Sequence, residues 1–324
     1  MTSTITINGI EIPVPQELIA AMLMGQQKET PLFADYAKTW FERYKRPKLR
    51  EKTKLLYEGF LENHLIPFFG KKQIGAITSE EIQCFYDAKA DLSHSTTRQM
   101  KVVLHQILDS AIEDGYRQDN PTESKRHVLP AKVTTRNALT ADEIHDVIRQ
   151  MVRLKPQDLL LLSLLIYTGE RRGEVLGLRW EDIDFKSNMI SVSRAVVHIR
   201  NKPLVGNPKS QAGKRKVPLL PELKEILLRY HKAEGYIIGD GTEPISEKAF
   251  DRRYERIRRQ VDLHGATPHV FRHTFLTMAS DKIDPKTLQA IAGHSTFSLT
   301  FNKYVHKRDD KVQESATKLK QLFA

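Results

Sequence analysis

Cysteine is almost absent: one residue, Cys84, in 324. That excludes a disulfide framework and points to a reducing cytoplasm. Cys84 falls in the helical pattern EEIQCFYDA and reads as a packing residue. Long apolar runs are missing too. The longest, LLLLSLLIY at 159–167, is about half of the roughly 20 residues a membrane span needs, so it predicts a buried helix. The opening MTSTITINGIEIPVP lacks the basic start and apolar stretch of a secretory signal. Acid is in deficit: 40 Asp and Glu against 51 Lys and Arg leave a formal charge of +11 and a pI near 9.5. Such a surplus favours a polyanionic partner, nucleic acid first and a membrane surface second. Neither an internal repeat nor a low-complexity segment is present.

The length leaves room for two domains with separate cores. ITINGIEI, 5–12, sets two β-branched runs around Asn8-Gly9 and predicts a hairpin, part of a small appendage at 1–30. Helical spacing follows: Phe33, Ala37, Trp40, Phe41 and Tyr44, then Leu55, Leu56 and Phe60. Thr78 with Glu81 forms a capping box, and Ser95 is expected to open a helix with Met100, Val103, Leu104, Ile107, Leu108 and Ala111 on one stripe. Residues 31–120 thus read as a domain of about four helices. DNPTESKRHVLPAKVTTRN, ending at 137, reads as an exposed basic linker that occupies 121–137. A second domain, 138–306, opens on a Thr140/Glu143 capping box. It continues through the buried helix, the strand-like MISVSRAVVHI and RKVPL with the turn-rich NKPLVGNPKSQAGK between them, and a helix capped by Ser246. The fold class expected is mainly α with a small antiparallel sheet, the second domain mixed α/β.

Four stretches carry groups that are costly to desolvate. In TPHVFRHTF, 267–275, Thr267 is a candidate N-cap and Pro268 suits the first helical position. At about 100° per residue His269, Arg272 and His273 share one face, with Phe271, Phe275 and Met278 on the other. A zinc pair is the weaker reading of the two histidines, because Val270 stands where a HExxH helix has its glutamate. TGERRGEVLGLRW, 168–180, puts Arg171 and Glu174 three residues apart on one helix face. Lys209 sits beside a turn in GNPKSQAGKRKVPL. IAGHSTFSLTFNKYVH, 291–306, follows a Gly293 helix stop with His294 and Tyr304. Singly, each has a plainer reading: a surface ion pair, a solvated loop lysine, a cap-region histidine, a half-buried phenol, a solvated polar helix face.

In this order and spacing the motifs resemble the tyrosine recombinase (phage integrase) family, through TGERRGE, Lys209, HVFRH, and GHSTFSLTFNKY with its tyrosine ten residues after the histidine. LSHSTTRQMKVVLHQILDSAIEDGYRQDNP is similar to that family's core-binding domain, so the resemblance spans about 31–307. It implies site-specific cleavage and rejoining of duplex DNA through a covalent 3′-phosphotyrosine, with no metal and no nucleotide, by a core-binding and a catalytic domain that clamp the duplex. Carried over residue by residue, Arg171 and Arg272 bind the scissile phosphate, a task suited to planar, permanently charged guanidiniums. Tyr304 is the nucleophile, and its ordinary pKa near 10 calls for proton removal or a cationic pocket. His269 helps remove that proton, His294 bonds the phosphate, Lys209 protonates the leaving 5′ oxygen, Glu174 braces the site and His273 supports it. The linker residues Lys132 and Arg136, with Arg252, Arg253 and Arg256 of FDRRYERIRRQ, are the expected phosphate contacts of the clamp.

The family further implies a monomer or weak oligomer when free and a tetramer on a specific recombination site. A directionality factor is compatible with that, and the setting is a bacterial or phage-encoded cytoplasmic, nucleoid-associated protein. The tail KVQESATKLKQLFA carries Val312, Ala316, Leu319 and Phe323 on a narrow apolar stripe, and 307–324 is expected to dock on a neighbouring protomer. The sequence leaves open a Xer-type resolvase beside a mobile-element integrase, and, further off, a type IB topoisomerase or a catalytically silent DNA-binding protein. One residue departs from the family's pattern. Glu170 stands before Arg171, where it is expected to pair with Arg172 or face solvent, the other option being that it lowers the charge of the clamp.

Overall fold

The computed structural model describes residues 2–7, 10–15, 29–130, 138–207, 213–239 and 241–293, the first two segments by backbone alone. The fold is mostly helical with small antiparallel sheets, and the chain divides into two compact units at 135/136. No helix among the described residues is long and apolar enough to cross a membrane.

The first unit begins with β1 (Thr2–Ile7) and β2 (Ile10–Pro15), paired antiparallel with Ile7 opposite Ile10. The helices α1 (Phe33–Trp40), α2 (Glu51–Phe60), α3 (Ser79–Asp87) and α4 (His94–Glu113) follow. Phe33, Trp40, Phe69, Phe85, Met100 and Leu104 fill their common core. The Thr78/Glu81 capping box opens α3 as expected. Helix α4 starts earlier than expected: Ser93, not Ser95, accepts the N-terminal amide bond, from Thr96. Cys84 is exposed, because Ile82, Phe85 and Tyr86 take the inner face of α3.

The expected linker is partly structure. Pro121 and Thr122 are buried, and Asn120 caps their turn by accepting from the Thr122 amide at 3.0 Å while donating to the His105 carbonyl at 3.0 Å. Val128 exchanges two backbone bonds with the Gln83 side chain, 2.8 and 3.0 Å. Composition suggested an open tether, but these amide groups find partners on α3 and α4, which water would otherwise have to supply. Residues 131–137, including Lys132 and Arg136, lie outside the described residues.

The second unit is built around α6 (Pro156–Tyr167), whose Leu159–Ile166 stretch is buried throughout. Around it lie α5 (Ala141–Gln150), opened by the Thr140/Glu143 box, and α7 (Arg172–Gly177). Strands β3 (Ile183–Asp184), β4 (Met189–Val192) and β7 (Arg215–Pro218) form one antiparallel sheet; β5 (Ala195–Ile199) and β6 (Lys202–Gly206) form a separate hairpin. Strand β6 falls in the segment read as turns. Its presence is explained by Arg200 and Asn201, both at positive φ (47° and 69°), a two-residue turn whose twist suits a hairpin. Helices α8 (Pro221–Arg229), α9 (Glu247–Gln260), α10 (Pro268–Ser280) and α11 (Pro285–Ala292) complete the unit.

Helix α9 is tied to α6 by a buried ion pair. Asp158 is fully buried, accepts from Arg256 Nε and Nη2 at 2.6 Å each, and lies 3.7 Å from Arg253 Nε. Removing one partner of a fully buried pair costs about 3–5 kcal/mol. Because the Arg256 side chain is 43% exposed, Arg256→Ala should cost the second unit about 2–3 kcal/mol. Urea denaturation measures this, and a loss under about 0.5 kcal/mol would mean that solvent already satisfies Asp158.

Candidate active site

Three arginines from three elements meet at the end of α11. Its last carbonyls have no partner within the helix, and Gly293 closes it in the left-handed conformation, φ 61°, as a helix stop should. Arg215 Nε, on β7, donates to the Ile291 carbonyl at 2.6 Å; Arg272 Nη2, on α10, donates to Ala292 at 2.5 Å; Arg171 Nη2, at the start of α7, reaches Gly293 at 3.4 Å. The partial negative charge at a helix C-terminus favours this gathering. The residue after Gly293 is His294.

Glu174 holds two of these cations. Its Oε1 accepts from Arg171 Nη1 at 2.8 Å, and its Oε2 accepts from Arg215 Nη2 and the Arg171 amide, both at 3.0 Å. Burial alone would raise its pKa, but the Arg215 guanidinium, helped by Arg171, outweighs that and keeps the carboxyl below its ordinary range. Glu174 is thus an internal counter-ion. Arg272 is anchored at its other end by a 2.8 Å bond from Nη1 to the Gly169 carbonyl. Gly169 has φ +63°, and a Cβ there would meet Phe275 Cδ1 at 2.3 Å, so only glycine lets the turn press against α10.

The structure therefore brings together Arg171, Glu174 and Arg272 of the residues expected from sequence. His269 is exposed on the first turn of α10, while His273 is half-buried with Nδ1 3.3 Å from the Thr277 hydroxyl. Lys209, His294 and Tyr304 lie outside the described residues, as does the 307–324 tail. Several expectations need correction. Met278 is 42% exposed where the core was expected, and on the opposite face Arg272 is buried while His269 is exposed. Thr267 stands at the N-cap of α10, yet its buried hydroxyl makes no cap bond. The expected phosphate contacts on α9 stand as follows: Arg253 lies 3.7 Å from Asp158, Arg256 pairs with Asp158 while 43% exposed, and Arg252 is exposed, with Nε 3.3 Å from its own helix's Lys248 carbonyl.

Glu170 neither faces solvent nor pairs with Arg172, which instead lies 3.5 Å from Glu247 and over the Phe250 ring. It is fully buried, and neither oxygen has a hydrogen-bond partner among the described residues. Burial, only partly opposed by Arg215 and Arg272, pushes its pKa up to about 8. Arg215 was missed by sequence reasoning. A signal existed: in RKVP the period of two puts Arg215 on the inner face with Val217 and Lys216 outside, and a cation on an inner face needs a partner.

With these positions fixed, likeness to known proteins has a structural footing. The sequence profile of the Phage integrase family matches residues 137–311, and that of the phage integrase N-terminal SAM-like domain matches 32–90. The chain belongs to the phage integrase family of tyrosine recombinases, enzymes that cleave and rejoin DNA at specific sites. Among curated relatives it is similar to a tyrosine recombinase XerC-like protein of Caldanaerobacter subterraneus, 28% identical over 89% of this chain and 83% of that protein. It is also similar to the ICEBs1 integrase of Bacillus subtilis, 25% identical over 81% and 76%. Among solved structures, the Tn1549 transposon integrase in complex with a circular intermediate DNA superposes with a TM-score of 0.74 at 23% identity, covering 89% of this chain and 99% of that one.

The raised Glu170 pKa has a signed consequence. Unfolded, the carboxyl ionises near 4.5; folded, near 8. Between these values the native state keeps a proton that the unfolded state releases, so stability falls as pH rises through the window and levels off above it. The slope is at most about 1.4 kcal/mol per pH unit. Thermal melts of wild type and Glu170→Gln from about pH 5 to 9 should show wild type losing ground steadily up to about 8. A difference that does not change with pH would mean an ordinary carboxylate.

Proposed function

We propose that this recombinase inserts and excises the mobile DNA element that encodes it, acting in the cytoplasm on duplex DNA. What supports the reading most is the convergence of Arg171, Arg215 and Arg272 on the three carbonyls that lead into His294. A site that gathers guanidiniums in this way suits an incoming phosphodiester. The relatives named ICEBs1 integrase and Tn1549 transposon integrase support the biological setting.

In the proposed cycle Tyr304 Oη attacks the scissile phosphorus, and a Tyr–O–P bond forms as the P–O5′ bond breaks. His269 takes the tyrosine proton; Lys209 gives one to the departing 5′ oxygen. Arg171, Arg272 and His294 bind the non-bridging oxygens, with Glu174 and His273 holding the donors in place. Each pre-aimed donor is worth about 3 kcal/mol of transition-state stabilisation. A new 5′ hydroxyl then attacks the phosphotyrosine, and the ester energy retained there makes a nucleotide unnecessary. Lys132, Arg136 and Arg252 are proposed phosphate contacts outside the site. Exchange of two duplexes takes four cleavages, hence a tetramer, and the tail stripe at Val312, Ala316, Leu319 and Phe323 is proposed to join protomers.

Tyr304→Phe loses one hydroxyl and should bind element-end DNA normally yet form no covalent adduct on a nicked suicide duplex, read on a denaturing gel. An adduct at wild-type yield would remove Tyr304 from its role. Mapping wild-type adducts separates the readings: cleavage at the element's own ends means an integrase. Cleavage at a chromosomal site instead means a resolvase, the reading that the XerC-like relative supports.

A further inference from the structure

Glu170 has no part in the cycle above, yet it lies inside the cation cluster. Its backbone links Gly169, whose carbonyl holds Arg272 at 2.8 Å, to Arg171, whose amide is held by Glu174 at 3.0 Å. Its side chain is fully buried, and both oxygens lack a hydrogen-bond partner among the described residues, a rare condition for a native carboxyl. The charged groups acting on it come from every side: Arg215 from β7, Glu174 from α7, Arg272 from α10, and Asp182 from the turn before β3. Asp182 is itself occupied, accepting from Arg194 Nη1 at 2.5 Å and from the Arg179 amide at 2.8 Å.

We propose that Glu170 is a positioning residue for DNA cleavage, kept as the neutral acid so that Arg272 and Arg215 carry their full charge toward an incoming phosphate. This rests on the recombinase reading of the site. With the acid neutral, Arg171, Arg215 and Arg272 face a single carboxylate, Glu174, and the cluster keeps a net charge of plus two. Ionised, Glu170 supplies a second internal anion, halves that charge and draws Arg272 and Arg215 inward, in competition with the phosphate. Among the described residues no donor reaches such an anion, and Arg215 and Arg272 are the cations that act on it. The neutral form is favoured because burial outweighs the pull of the two arginines, which leaves ionisation for alkaline conditions near pH 8 and above. A permanently neutral residue would not respond, so the carboxyl makes the site sensitive to pH where an amide would not.

The test compares the full-length wild type with Glu170→Gln on the suicide duplex carrying the element end. Single-turnover cleavage rates are followed from about pH 7 to 9, and the ratio of rates between the two proteins, which differ only at position 170, is read at each pH. The variant-to-wild-type ratio should rise by about fivefold between pH 8 and 9, as the neutral fraction of an acid with a pKa near 8 falls from about one half to about one eleventh. The infrared carbonyl stretch of an unbonded protonated carboxyl, present in wild type at pH 7 and missing in Glu170→Gln, is the readout that needs no DNA. A ratio independent of pH, or no such band at pH 7, overturns the proposal while leaving the recombinase reading in place. No cleavage by wild type at any pH overturns that reading and the proposal with it; the band then still reports the state of Glu170.

Discussion

Three guanidiniums ending on the consecutive carbonyls of Ile291, Ala292 and Gly293 form the tie on which the second unit's functional end depends. Like charges so close repel, by roughly 4 kcal/mol for a pair 4 Å apart at an effective dielectric constant of 20. The arrangement persists because each cation has an acceptor in place: the helix-end carbonyls, the Gly169 carbonyl and the two oxygens of Glu174. Each arginine also brings its own element. Arg215 carries β7, Arg272 carries α10 and Arg171 the start of α7, so one short length of backbone at the end of α11 sets the register of three segments distant in sequence.

The same unit holds a second buried ionic group that shows by contrast what is unusual about the first. At Asp158 a fully buried carboxylate meets Arg256 in a two-bond fork and Arg253 nearby, with Arg256 partly in water; two cations share one anion there, and the group joins α6 to α9. Around Glu174 three cations share one anion, and Glu170 is the residue that would halve the excess, which burial keeps it from doing. A site left short of anion in this way is less stable than a balanced one, a cost that a phosphate ligand would remove on arrival.

Much of this was legible in local sequence because the signals are local. Capping boxes at Thr78/Glu81 and Thr140/Glu143, the Ser246 cap, the Gly293 stop and the apolar run of α6 each need only a few neighbouring residues, and the structure has them all. The motif residues Arg171, Glu174 and Arg272 were readable as a set through family resemblance. Misreadings arose where the deciding partner is remote. Glu170 was assigned to Arg172 by adjacency, but Arg172 is taken by Glu247 from α9. The 120–130 segment was read as a tether because its partners, His105 and Gln83, lie on helices earlier in the chain. Cys84 and Met278 were placed inside from helical spacing, which identifies a face without saying how wide the buried arc is; both fall just beyond it.

Exposure separates the arginines further. The Arg215 side chain is 6% exposed and makes three bonds, to Ile291, Gly213 and Glu174, which fix the fork in orientation as well as position. Arg171 shares Glu174 with it but is 40% exposed, and its longest bond, 3.4 Å to Gly293, is the weakest of the set. A guanidinium carries five N–H donors, so an arginine held by one strong fork contact and one loose one can turn remaining donors outward without breaking its anchor. Arg215 thus behaves as the fixed post and Arg171 as the adjustable arm, with Glu174 as the joint between them. Replacing Glu174 by an amide would weaken both at once, since an amide offers one acceptor oxygen where the carboxylate offers two. A closely spaced cation pair of this kind therefore needs an acid at 174, and it needs the acid three residues into the helix that Arg171 begins, where side chain and backbone amide can be held together.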